Sequence, residues 1–365
     1  MRSFTTRPTL NFLEGTLMID ASSYRKEHLE SLRSGKKVDI QILERCIYAL
    51  GLLEALVRVG APITFKGGSS LMLLLDSPKR LSTDIDVVVT PETDMKRYIL
   101  QAAELFPFKR CEEQVRKGRN GIDKQHYKFY YESPVMNREF YILLDILYEK
   151  DCYASHVTRQ IDNDLLLQLG NPVAISMPSA DCILGDKLTA FAPHTTGIPF
   201  GVGKELEIIK QMYDIATFID VCTDFSAAVE TFRAIAASEA AYRGLSVNCD
   251  DILDDTISAC VSIASRGYYE KEDYAKYLLG IRAISNHIYA EKFSAEKASA
   301  LACKVMCFAA CVKSETTFER IFEPAKFMEC DVSKTPYPKL KAMRKLDQNA
   351  FAYFVRAMEV LGYLD

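Results

Sequence analysis

The sequence predicts an α+β fold: a sheet with flanking helices in the first half of the chain, followed by a mostly helical second half. Three observations lead there. Runs with a period of two and β-branched content are confined to residues 62–177. Beyond Ser179 apolar residues recur at helical spacing as far as Leu364. With 365 residues the chain is long enough for two cores, so two domains are expected, 1–178 and 179–365.

Residues 1–38 are polar and weakly patterned, and Met1 to Pro8 lacks the apolar core of a signal peptide. Asp39 caps a helix whose stripe is Ile40, Leu43, Ile47, Leu50, Leu53, Leu56 and Val57; Gly60 and Pro62 end it. A short strand follows at 62–65, broken by Gly67 and Gly68, and Ser69 reads as the cap of a helix over 69–75. After a loop at 76–83, Asp84-Ile85-Asp86-Val87-Val88-Val89 reads as a buried strand. Thr90-Pro91-Glu92 predicts a helix reaching about Leu105, with proline in its first turn. Strands are expected at 108–116, 125–132 and 139–149, separated by Gly118–Gly121 and Ser133–Asn137, with a last short one at 173–177. Ser179 caps the next helix, residues 193–203 form a Gly/Pro/Thr loop, and 205–220 is a helix buried through Ile208, Met212, Ile215 and Ile219. Gly201-Val-Gly203-Lys204 lacks the spacing of a phosphate loop. Further helices fill the remainder.

Hydrophobic content of 48% and charged content of 26% are ordinary for a soluble protein, and a net charge of −4 gives no global pull toward nucleic acid or membrane. No apolar run approaches the ~20 residues of a membrane helix. Eleven cysteines, mostly inside apolar segments, suit reduced thiols and a cytoplasmic location. Cys303, Cys307 and Cys311 line one helix face, a core stripe rather than a metal site.

The chemistry concentrates in residues 65–89. Exposed N–H groups after Gly67-Gly68 suit an anion, with a nucleoside triphosphate the obvious one. Alternation along the strand puts Asp84 and Asp86 on one face, where two carboxylates repel unless a cation such as Mg²⁺ lies between them. Asp145 is a lone acid in an apolar strand, costly unless paired, satisfied by backbone donors, or bound to a cation.

Gly-Gly-Ser, a helix and then Asp-x-Asp on the next strand resembles the DNA polymerase beta-like nucleotidyltransferase superfamily. The fuller string, Lys66-Gly67-Gly68-Ser69-Ser70-Leu71 followed by Arg80-x-Ser82-x-Asp84-Ile85-Asp86, is similar to its AbiEii/MenT branch, the toxin halves of bacterial toxin–antitoxin and phage-defence pairs. The resemblance, over residues 62–220, implies a mixed sheet and metal-dependent transfer of a nucleoside monophosphate from an NTP to an acceptor hydroxyl. It implies Asp84, Asp86 and Asp145 as holders of Mg²⁺ (or Mn²⁺). Lys66, Gly67, Gly68, Ser69, Ser70, Arg80, Ser82 and Lys187 would bind the nucleotide, with Lys187 and Asp214 completing the catalytic set. Asp214 is expected off the buried stripe of its helix. A solvated Lys187 and an ion pair between Lys210 and Asp214 are the plainer alternatives. The resemblance further implies an RNA acceptor, such as a transfer RNA end, and an antitoxin partner. A protein hydroxyl as acceptor, or a silent nucleotide- or partner-binding protein, stays open. A basic band of Arg110, Arg116, Lys117, Arg119, Lys124 and Lys128 would favour RNA.

Overall fold

The computed structural model describes residues 18–115, 123–289 and 291–365. The Met1–Pro8 stretch, the Gly118–Gly121 turn and the expected basic residues Arg116, Lys117 and Arg119 lie outside them. Helix α1 (Lys26–Arg33) leads to α2 (Ile40–Arg58), which the Asp39 carboxylate caps by accepting from the Gln41 N–H at 2.8 Å. Then come β1 (Thr64–Lys66), a 3₁₀ turn at Gly68–Ser70, α3 (Leu71–Leu74), β2 (Asp84–Val89), α4 (Lys96–Ala103), β3 (Arg110–Glu113), β4 (Asp123–Ser133) and β5 (Arg138–Tyr148).

These strands form one five-stranded mixed sheet in the order β1-β2-β5-β4-β3. Only β2 and β5 run parallel, with Asp86 beside Asp145; the other neighbours are antiparallel. Because side chains alternate, Ile85, Val87, Phe129, Ile142 and Leu144 share one face, buried against Leu43, Ile47 and Leu50 of α2. Burying each such side chain is worth roughly 1.5–3 kcal/mol, so this face is closed to solvent. The opposite face carries the carboxylates.

A separate ribbon pairs β6 (His156–Gln160) with β7 (Ala174–Pro178). The helical half follows as α5 (Ala180–Ala190), α6 (Glu205–Val221), α7 (Phe225–Arg243), α8 (Cys249–Ala264), α9 (Lys271–Ile284), α10 (Ala295–Lys313), α11 (Met343–Leu346) and α12 (Gln348–Val360). Its own core includes Ile183, Leu188, Met212, Ile215, Phe308 and Phe354, with Cys303, Cys307 and Cys311 buried as the stripe predicts. Among the described residues no helix is long and apolar enough to cross a membrane.

Three local expectations are corrected. The helix expected from Thr90 begins only at Lys96, because Thr93 N–H closes a turn onto the Thr90 carbonyl (3.0 Å) and Asp94 accepts from the Lys96 N–H (3.0 Å). Strand β6 has no counterpart in the sequence reading; mostly exposed, it shows no apolar alternation. Ser69 caps no helix, since its hydroxyl turns inward onto the main chain.

Candidate active site

Glycine at position 67 is demanded twice over. Its φ is +81°, a conformation that side chains disfavour, and a Cβ there would overlap the Asp86 carboxylate. The turn is stapled by its serines: Ser69 Oγ donates to the Asp84 carbonyl, and Ser70 Oγ donates to the Gly67 carbonyl at 2.7 Å. Both serines are fully buried, so their hydroxyls hold the turn against β2. Gly68 is tight for another reason, with a Cβ there meeting Arg80 Nη2 at 2.9 Å and Ser82 Oγ at 3.1 Å.

The open sheet face brings Asp84 and Asp86 of β2 together with Asp145 of β5, while β1 sets Lys66 beside Asp86. Asp84 leans on Arg45 of α2 (Oδ1 to Nη2, 3.3 Å), and Asp145 on His126 of β4 (Oδ1 to Nδ1, 2.6 Å). Burial, with Asp145 and Asp84 alongside, pushes the Asp86 carboxyl up to about 7 against the opposing pull of Lys187 and Lys66. Burial also raises Asp84, against Arg45 and Lys210. The Lys66 ammonium is lowered by burial but raised further by Asp186, Glu149 and Asp86, so it stays charged. Beside Lys66 opens a cavity of about 380 Å³, walled by Glu149, Tyr153 and Asp186 and by Glu239 and Tyr242 of α7.

The helical half contributes a buried ionic knot. Arg80 is 2% exposed and donates from Nε and Nη2 to the two oxygens of Asp214 on α6, at 2.8 and 2.7 Å, while Nη1 reaches the Leu81 carbonyl. Lys187 of α5, 6% exposed, lies 3.4 Å from the same carboxylate. Asp214 is therefore not off the buried stripe but has no exposed surface, sustained there by two cations. Lys210 pairs with Glu207 at 2.8 Å rather than with Asp214. Arg80 directs its guanidinium into this knot, away from solvent.

Arg45, His126, Lys210 and Glu207 escaped the sequence reading as members of this cluster. Only His126 left a signal: a histidine in the strand expected next to the one bearing Asp145. Of the basic band, Arg110 is neutralised by Glu139 and Glu112, and Lys128 covers the Tyr141 ring.

The carboxylates supply hard oxygen donors of the kind Mg²⁺ or Mn²⁺ takes, and their mutual repulsion at Asp86 is what a divalent cation would relieve. As the side chains stand, no three acidic, histidine or cysteine groups among the described residues are close enough to share one ion. Arg45 and His126 engage two of the three acids instead.

The chain is similar in shape to two Helicobacter pylori crystal structures. JHP933 shares 12% identity at a TM-score of 0.43, covering 76% of this chain and 94% of its own. A second protein, provisionally described as a nucleotidyltransferase, shares 13% at a TM-score of 0.41, covering 74% and 96%. No curated protein matches the chain. The model of the nucleotidyl transferase AbiEii toxin family, of type IV toxin–antitoxin systems, matches residues 51–285. That span takes in both the carboxylate face and the buried ionic knot and exceeds half of the sequence, so the chain belongs to the AbiEii nucleotidyl transferase toxin family.

Proposed function

We propose that the protein transfers a nucleoside monophosphate from an NTP to an acceptor hydroxyl, releasing pyrophosphate, and that its acceptor is RNA. The observation that carries the reading is the convergence of Asp84, Asp86 and Asp145 on one open face with Lys66 and Lys187 both acting on Asp86. When bound, Mg²⁺ or Mn²⁺ would supply charge neutralisation at the α-phosphate and lower the pKa of the attacking hydroxyl. Asp84 and Asp86 would hold it, and Asp145, oriented by His126, would align the acceptor oxygen and receive its proton. Lys66 and Lys187 balance triphosphate charge as point cations. The Gly67-Gly68 main chain offers its N–H groups to the phosphates, backed by the inward-turned serines. Arg80 and Asp214 position Lys187 rather than touch substrate. Activity of this kind in the cytoplasm calls for a cognate antitoxin.

The test incubates the protein with each labelled NTP, Mg²⁺, and either total RNA or lysate protein. Label should pass to RNA with wild type and not with Asp86→Asn. Transfer by Asp86→Asn equal to wild type would overturn the assignment.

A further inference from the structure

The face that carries Asp145 does not end at the carboxylates. Going back along β5, alternation places Leu143 and Tyr141 on that same side, and register sets Lys128 beside Leu143 and Tyr130 beside Tyr141 on β4. All four remain partly exposed, whereas Tyr127, Phe129 and Tyr131 point into the core beneath. Tyr130 and Tyr141 meet edge to face with centroids 5.9 Å apart. The Arg110 guanidinium lies 3.6 Å over the Tyr130 ring and the Lys128 ammonium 4.3 Å over Tyr141. Four residues of strand separate Asp145 from Tyr141, about 13 Å, the reach of a few nucleotides.

Resting on the transferase reading above, we propose that this strip of β5, β4 and β3 is the bed for an unpaired RNA terminus, whose bases stack on Tyr130, Tyr141 and the Arg110 plane while the terminal hydroxyl reaches Asp145. Aromatic and guanidinium planes suit splayed bases, which present their π-faces irrespective of sequence. A duplex hides those faces and would rely on phosphate contacts. Here Arg110 is already held by Glu139 and Glu112 and Lys109 by Glu132, so phosphate attraction is locally spent. Stacking rather than charge therefore carries the affinity, and its dependence on salt is shallow.

Fluorescence anisotropy with a labelled short oligoadenylate, free and as a duplex, tests this without turnover, so a failure of the transfer chemistry leaves the binding result readable. Tyr130→Ala and Tyr141→Ala should each weaken single-strand binding about tenfold, while Tyr141→Phe retains it. Calorimetric NTP affinity and thermal unfolding should stay as in wild type, since neither ring belongs to the core. The proposal is overturned by a Tyr130→Ala/Tyr141→Ala variant that binds the oligonucleotide as wild type does. It is equally overturned by duplex binding as tight as single-strand binding.

Discussion

Replacing Asp214 by Asn tests the ionic knot directly. The isostere keeps shape and removes one charge, leaving Arg80 and Lys187, 2% and 6% exposed, without the carboxylate they share. Arginine cannot shed its proton inside a protein. Burial alone would lower the Arg80 guanidinium, and Asp214 is the foremost of the groups, with Glu207 and Tyr213, that together more than offset this. Removing one partner of a buried pair costs about 3–5 kcal/mol. The upper part of that range is expected here, because the Arg80 contact is bidentate and Lys187 shares it. The melting temperature should drop by about 5–6 °C. Urea unfolding followed by circular dichroism reads the loss, and Arg80→Met and Lys187→Met combined with Asp214→Leu should recover much of it, since apolar replacement of a whole buried ionic cluster is often neutral. A loss below about 1 kcal/mol for Asp214→Asn would refute the reasoning. Kinetic effects of Asp214 variants must accordingly be read well below their melting range.

Asp86→Asn should abolish transfer yet stabilise the metal-free protein. The Asp86 carboxyl is pushed up to about 7 from an ordinary 3.8, so the stability it contributes is fully present below the lower value and lost as pH rises through the upper. The variant should gain about 1–3 kcal/mol at alkaline pH and nothing in acid, the range being discounted for partial solvent contact; equal urea midpoints at alkaline pH would contradict this. Gly67→Ala should impair folding and transfer together, because the new Cβ displaces the Asp86 carboxylate; unchanged activity and midpoint would show that the turn relaxes freely. Lys187→Met should raise the KM for NTP at least as much as it lowers kcat, checked by initial rates at saturating acceptor. Gly185→Ala should destabilise by at least about 2 kcal/mol, since its Cβ would strike the Ala228 carbonyl of α7 and backbone cannot swing aside; thermal unfolding reads it.

The carboxylate face was legible because a strand converts sequence parity into geometry. Asp84 and Asp86 share a side whatever else the fold does, and Asp145 announced itself by standing alone among apolar neighbours. What sequence could not convey is which polar groups the second half presses inward. On α6, Asp214 follows Tyr213 and precedes Ile215, and all three prove buried, because the helix is wrapped on several sides rather than along one stripe. Arg45 is similarly hidden: periodicity puts it off the apolar stripe of α2, and nothing local says that Asp84 waits there. The ribbon β6 escaped because an exposed strand paired on one edge needs no apolar alternation.

The loop carrying Arg80 is laced to the stretch after α9: Leu81 N–H donates to the His287 carbonyl at 2.8 Å, and Tyr289 N–H to the Lys79 carbonyl at 2.9 Å. The Asp-x-Asp strand and its lacing partner are thus made far apart in time. At roughly 5–20 residues per second, about 10–40 s of synthesis separate them. Once Asp214 has been made the growing chain already holds Asp84, Asp86 and Asp145, but not residues 287–289, which lace the Arg80 loop. Until the far segment emerges, the loop that carries Arg80 lacks both of the backbone hydrogen bonds that lace it in the finished fold, so the ionic knot is among the last features of the chain to be secured.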